Sequence, residues 1–428
     1  MVTTNKSKNL VVLHLESLSH YIFNQEKKNL KGISDLMSRS VVFEHFFSSA
    51  TSSLMAMTDF LYGNDDELEN SISFDAFNKP VKKQENLFDL LGDRKYRVAG
   101  FGYPKIWRDD VNKYKLFSES GERFEYMDNY EDFISQVKEF MITESEEPFA
   151  VYIWDILSHL YYSDAEKDKG ENFFERRSIG YSSIDRTVRH VVSILEQYGL
   201  MENTIIVGFG DHGDELWNHA LNSGFCHAIE PYTSIIWTPA FIYQSEEISR
   251  VESNIVSLID LKNTILGMLG EQDRLSNDFA GIDITKRENK YVYSRNLFVN
   301  QPDRENVENA PGLKKAFSIT NDYYHLIHTG YGLEMYAYKV DPENHSNLLS
   351  FFDMDRGELK FNNRGATHVH FRKVMQPDQI EHIKKNYYEL ADALKKRLMM
   401  KNDSIIVEQK NPIDMSAFNR IRDRKYYW

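Results

Sequence analysis

The stretch Thr204-Ile-Ile-Val-Gly-Phe-Gly-Asp-His-Gly-Asp-Glu215 decides how this chain is read. A short β-branched apolar run that halts at an Asp-His pair is the pattern of a buried parallel strand. In open α/β sheets, ligands gather at the carboxyl ends of the strands. There, Asp211 and His212 can offer a carboxylate oxygen and an imidazole nitrogen to one divalent ion. An isolated Asp-His in such a place is more often a capped turn. Four other segments supply matching pieces and shift the balance toward a metal site.

Working outward, Asn9-Leu-Val-Val-Leu-His-Leu15 reads as a first buried strand ending at Glu16-Ser17. A helix is expected over Asn29 to Ser38. The small-residue turn Ser48 to Ser53 precedes a helix from Leu54 to Tyr62, with Gly63 as its stop. Asn86 to Leu91 reads as a short helix, and Tyr96 to Phe101 and Pro148 to Trp154 as strands. A loop follows from Asp155 to Tyr162. From Ser178 to Tyr198 the apolar residues Ile184, Val188, Val191, Val192 and Leu195 recur on one helical face. This alternation predicts an α/β fold, a largely parallel sheet with helices on both faces. Beyond about residue 285 the texture changes. Tyr291–Ser294, Ala316–Thr320, Tyr323–His328 and Met335–Val340 predict a smaller antiparallel C-terminal subdomain, followed by a long charged helix over Gln379 to Met399. The expected division is therefore a catalytic domain over 1–285 and a C-terminal subdomain over 286–428.

The 428 residues suffice for a large core, and 41% hydrophobic with 13% aromatic residues marks a globular chain. A net charge of −14 argues against general nucleic-acid binding and is compatible with clustered acids that need a cation. The single cysteine, Cys226, rules out an internal disulfide framework. No segment has the apolar length of a membrane span, and Met1 to Lys8 is polar. The expected location is cytoplasmic. The basic, aromatic end from Arg420 to Trp428 suits packing on the core or contact with a membrane surface or a partner.

Glu16 stands where a strand would deliver a metal carboxylate; otherwise it is a capping or surface acid. The hydroxyls of Ser48 to Ser53 are by default helix caps, yet a helix start also favours anions through its free N–H donors. A nucleophile there, activated by a metal, suits attack on a phosphate or sulfate ester. Asp155 and His159 can turn into one site, although a lone histidine after a strand is more often structural. His219 and His227 lie in the loop after the Asp-His pair. Of these, His219 reads as a packing residue, and otherwise as a substrate contact.

In their order these pieces resemble the alkaline phosphatase–sulfatase superfamily, and within it the sulfatase-like phosphoglycerol and phosphoethanolamine transferases. The likeness is carried by Val11–Ser19, Ser53–Gly63, Asp155–Tyr162 and Gly210–Glu215. Pro231 to Tyr243 resembles the family's strand after the metal loop. Met335 to Asn344 with Asn347-Leu348 is similar to the ending typical of sulfatases. The resemblance implies a divalent ion (Mn, Zn, Mg or Ca) on Glu16, Ser53, Asp211 and His212. It implies His159 as general acid or, with Asp155 and His227, as a holder of a second ion. Lys105, Trp107 and Arg108 would then bind substrate. The implied nucleophile is Ser53, with Thr51 and Ser52 as rivals. Ser53-Leu-Met-Ala-Met57 lacks the Pro and Arg of the formylglycine motif, which disfavours a formylglycine sulfatase. The implied activity is transfer of a phosphoryl-linked group from a phosphodiester or nucleotide-activated donor to a hydroxyl, such as one on a surface glycan, through a phosphoseryl intermediate. Sulfatase-like ester hydrolysis is the alternative, and a non-catalytic glycan- or partner-binding relative the third.

Overall fold

The computed structural model describes residues 7–65, 85–104, 124–159, 164–216, 225–227, 229–271, 280–296, 315–362, 376–407 and 413–422. Its strands are β1 (Asn9–Leu15), β2 (Val41–Phe47), β3 (Arg97–Tyr103), β4 (Phe124–Tyr126), β5 (Phe149–Asp155), β6 (Thr204–Gly210), β7 (Glu215–Leu216), β8 (Phe225–Cys226), β9 (Ala240–Tyr243) and β10 (Arg250–Ser257). The C-terminal part adds β11 (Val292–Asn296), β12 (Ala316–Thr320), β13 (His325–His328), β14 (Leu333–Tyr336), β15 (Phe352–Asp355) and β16 (Glu358–Phe361). The helices are α1 (His20–Glu26), α2 (Lys31–Met37), α3 (Ser53–Tyr62), α4 (Leu87–Asp93), α5 (Tyr130–Ile142), α6 (Phe173–Gln197), α7 (Thr233–Ile236), α8 (Asp260–Met268) and α9 (Pro377–Val407).

Eight strands form the main sheet in the order β10-β2-β9-β6-β1-β5-β3-β4. Only β9 runs against its neighbours, so the sheet is largely parallel, as expected. β1 sits at its centre with every residue buried, because both faces are covered. Leu10 and Val12 point into one apolar cluster, and Val11, Leu13 and Leu15 into the other. The second cluster is closed by α1, α2, α5 and α6. The first is closed by α3, α4 and α8, and it continues into Phe317 and Ile319 of β12 and Leu390 and Leu394 of α9. The C-terminal sheet β11-β12-β13-β14 is antiparallel. It shares this core with the main sheet.

Register places the site. Leu15 pairs with both Asp155 and Gly210, so Glu16 and Asp211 leave adjacent strands at one level. Several boundaries differ from the sequence reading. α6 starts earlier, at Phe173, because the Asn172 side chain accepts the Glu175 N–H and caps it there. β14 ends at Tyr336 instead of continuing to Val340: the chain turns, with Val340 N–H bonding Ala337 O. Strands β2 and β10 and helices α5 and α8 were not anticipated. In β2 the polar residues Glu44 and His45 interrupt the apolar run Val41–Phe47.

The C-terminal sheet grips the helix that begins with Ser53. Arg295 of β11 donates to Asp59 of α3, Nη2 to Oδ1 at 2.9 Å, and both side chains are fully buried. Asp59 also accepts from Ser49 Oγ. Removing one partner of a buried pair leaves an uncompensated charge, at a cost of about 3–5 kcal/mol. Arg295→Met should therefore lower unfolding free energy by about that much in urea denaturation. A loss within about 1 kcal/mol would show that the pair does not anchor α3.

Candidate metal centre and active site

Ser53 is the first residue of α3, and its Oγ donates to Glu16 Oε1 at 3.0 Å. It also lies 3.0 Å from His212 Nε2. His212 Nε2 is in turn 3.3 Å from Asp211 Oδ2 and 3.7 Å from Glu16 Oε1. Four donor atoms from three segments thus converge with the spacing expected of atoms sharing one ion through bonds of about 2.0–2.2 Å. Glu16, Asp211 and His212 are fully buried. Of the three hydroxyls considered, only Ser53 is recorded against both Glu16 and His212. Ser52 is the N-cap residue, and Thr51 Oγ1 is buried without a hydrogen-bond partner.

The electrostatics are compatible with a bound cation. Burial and the neighbouring Asp211 charge push the Glu16 carboxyl well above its ordinary range. Burial works against charge on Asp211 too, yet His212, His14 and the Ser17 N–H outweigh it and hold that carboxyl low. Burial keeps His212 below its usual value, leaving a neutral imidazole whose lone pair can bind a metal. The buried Asp211 Oδ2 lies 3.0 Å from His14 Nε2 and 3.3 Å from His212 Nε2. A buried set of oxygen and nitrogen donors at this spacing fits a divalent ion and suits Mn or Zn.

The sequence reading missed the residues that brace this set. His14 shares a strand face with Glu16 and lies 3.6 Å from its Oε2. The ring of His14 stacks on Trp154, and its Nδ1 meets Tyr152 Oη at 2.7 Å. Trp154 Nε1 donates to Glu16 Oε2 at 2.8 Å. For His14, period-two spacing from Glu16 was the available signal. Ser17 adopts φ 54° and so aims its N–H at Asp211 Oδ1, 2.9 Å away. Gly213 has no room for a Cβ, which would lie 2.3 Å from Ser234 O and 2.5 Å from Ser19 Cβ.

A second cluster adjoins the first. His212, Asp214 and His227 offer donor atoms within 4.8 Å of one another. The His227 ring lies 4.3 Å from that of His212 and 5.0 Å from that of His159. Burial, then His227, holds His159 well below the ordinary histidine range. Lys167 Nζ binds the Leu157 and His159 carbonyls and so fixes the turn that carries His159. Asp155 is placed elsewhere. Its carboxylate accepts from Ser183 Oγ and Thr187 Oγ1 of α6, each at 2.8 Å, and from the Leu157 N–H. Asp214, and not Asp155, is the carboxylate that stands in the second cluster. Lys105, Trp107, Arg108 and His219 lie outside the described residues.

The chain matches the Sulfatase family model over residues 8–271, more than half its length. It belongs to the sulfatase family. A curated relative, the lipoteichoic acid synthase-like YvgJ of Bacillus subtilis (strain 168), is 24% identical over 353 residues, 71% of this chain and 56% of that protein. The chain thus spans little more than half the length of that relative. Among solved structures, BT4656 in complex with D-glucosamine-2-N,6-O-disulfate superposes with TM-score 0.64 at 14% identity, covering 96% of this chain and all of that one. The lipoteichoic acid synthase LtaP of Listeria monocytogenes superposes with TM-score 0.57 at 14% identity, covering 78% and 86%. These likenesses confirm the expected fold within the superfamily. No helix among the described residues is long and apolar enough to cross a membrane. Arg420 and Arg422 of the basic end are engaged within the protein, with Asp414 and with Glu230 and Glu334.

Asp155 separates the two accounts of the second cluster. Asp155→Asn should leave bound metal per chain unchanged by elemental analysis. It should also alter stability against pH. Burial raises this carboxyl to about 6, so between about pH 4 and 6 the folded chain holds a proton that the unfolded chain has lost. Stability from this group accordingly falls as pH rises through that window. Asp155→Asn should flatten the fall in urea denaturation series.

Proposed function

We propose that this chain is a metal-dependent phosphotransferase of the sulfatase family, working through a covalent intermediate on Ser53. The observation that carries the reading is the Ser53 hydroxyl held 3.0 Å from both Glu16 Oε1 and His212 Nε2 at the start of α3. An ion bound by Glu16, Ser53, Asp211 and His212 would supply charge that favours the serine alkoxide and steadies the phosphoryl oxygens. Glu16 and His212 would be committed to that ion, so the hydroxyl proton would leave to water as the ion binds. Ser53 Oγ then forms the bond to phosphorus as the bond to the leaving oxygen breaks, and an acceptor hydroxyl later reverses the exchange. His159 and His227, facing each other beside His212, are assigned to the leaving and entering oxygens.

Ser53 stands where formylglycine sulfatases carry a modified residue. An unmodified hydroxyl supports a stable phosphoserine better than a sulfate ester exchange. We infer a donor that is a phosphodiester or nucleotide-activated headgroup, and an acceptor hydroxyl such as that of a glycan. Water in place of the acceptor gives phosphodiester hydrolysis with the same residues. A location on the cytoplasmic side, with any membrane contact made through the C-terminal end, belongs to the same reading.

Nitrophenyl esters of phosphate, phosphodiester, phosphonate and sulfate separate the readings, assayed with and without Mn or Zn. Phosphodiester cleavage should require metal, and Ser53→Ala should lose about three orders of magnitude or more in kcat. Preferential cleavage of the sulfate ester would overturn the proposal in favour of a sulfuric-ester hydrolase. Silence toward every ester and every activated donor in protein that binds no metal would point to the non-catalytic alternative.

A further inference from the structure

Asp214 stands fourth in the motif opened by Asp211 and His212, and its two oxygens face different partners. Oδ1 lies 2.8 Å from His227 Nδ1. Oδ2 lies 3.5 Å from Arg177 Nη2 and has no hydrogen-bond partner. Arg177 belongs to α6 and is buried, as is Asp214. Four residues on, Tyr181 takes the Arg177 Nε–H on its Oη at 2.9 Å and donates its own proton to Ser17 O at 2.9 Å. One turn of α6 therefore touches both halves of the site, the loop of Glu16 through Ser17 and the loop of His212 through Asp214.

Resting on the phosphotransferase reading of the adjoining centre, we propose that Asp214 is the positioning residue of His227, with Arg177 behind it, and is not itself a metal ligand. A carboxylate next to a guanidinium is an acceptor only, so the hydrogen bond requires the proton on His227 Nδ1. Nε2 is then the atom left for the chamber shared with His212 and His159. A histidine with a carboxylate on one nitrogen has its ring orientation and tautomer fixed, and the free nitrogen becomes the better base or metal donor. Arg177 holds the far oxygen of the carboxylate in place, and Tyr181 holds Arg177.

Asp214→Asn tests this in a particular way. Arg177 has only donors, so it claims the amide oxygen of the new side chain and turns the NH2 group toward His227 Nδ1. That nitrogen must then accept, and the proton moves to Nε2. In chelator-treated full-length chain labelled with 15N-histidine, long-range proton–nitrogen spectra should show His227 as the Nδ1–H tautomer. The assignment comes from the signals that His227→Gln removes. Asp214→Asn should switch those signals to Nε2–H. The double variant Asp214→Asn with Arg177→Met frees the amide to rotate and should restore an Nδ1–H population. Zinc content per chain after dialysis should match wild type in Asp214→Asn, whereas kcat should fall about 10- to 100-fold with little change in KM. Unchanged His227 signals, or a loss of one zinc without a tautomer switch, would make Asp214 a ligand and overturn the proposal. The spectra need no turnover, so inactivity on every ester and every activated donor would sink the phosphotransferase reading without deciding this one.

Discussion

Two carboxylates that cannot both be comfortable govern this structure. Glu16 and Asp211 leave neighbouring parallel strands at the same level, in a place water does not reach. Burial alone would protonate one of them, and proximity makes the mismatch worse. The surrounding groups are arranged to keep the negative charge in place. Trp154 and Ser53 donate to Glu16, while His14 and the Ser17 N–H face Asp211. An arrangement that spends so many donors on holding charge in a dry interior makes sense around a cation.

The braces come from every layer of the fold. The aromatic wall under His14 is built from alternate residues of β5, Tyr152 and Trp154. α6 supports both ligand-bearing loops from one face. The small antiparallel sheet reaches back through Arg295 to the helix that starts at Ser53. Arg422, bonded to Glu230 and Glu334, ties the segment beyond His227 to β14. The C-terminal elements are thus part of the structure that holds the site, and they share its apolar core.

Much of this was legible in the chain. The run Thr204–Gly210 ending in Asp-His announced its strand and its ligands, because a fully buried parallel strand leaves few readings open. Glu16 was singled out by its place at a strand end, whereas Ser53 was chosen among the hydroxyls of its turn only through the family resemblance. Asp155 misled because its spacing to His159 says nothing about which way a strand-end side chain turns. Ser183 and Thr187, 28 and 32 residues downstream on α6, claim it instead. Arg177 and Tyr181 lie on the helical face of Ile184 and Val188, so their burial follows that pattern, but nothing in the spacing tells that they meet Asp214 and Ser17. Strand β2 was hidden by polar residues inside an otherwise apolar run.

The central position of β1 also bears on how the chain reaches its native state. Its two sheet partners are β5 and β6, and the hydrogen bond from Ser17 to Asp211 spans 194 positions. During synthesis this mostly apolar strand must wait until both partners have been made, with its backbone groups and side chains unmatched on either side. Pairing that distant makes folding slow and leaves a sticky segment exposed in the interval. The geometry that gives the site its dry, level arrangement of charges therefore makes the nascent chain dependent on protection from aggregation.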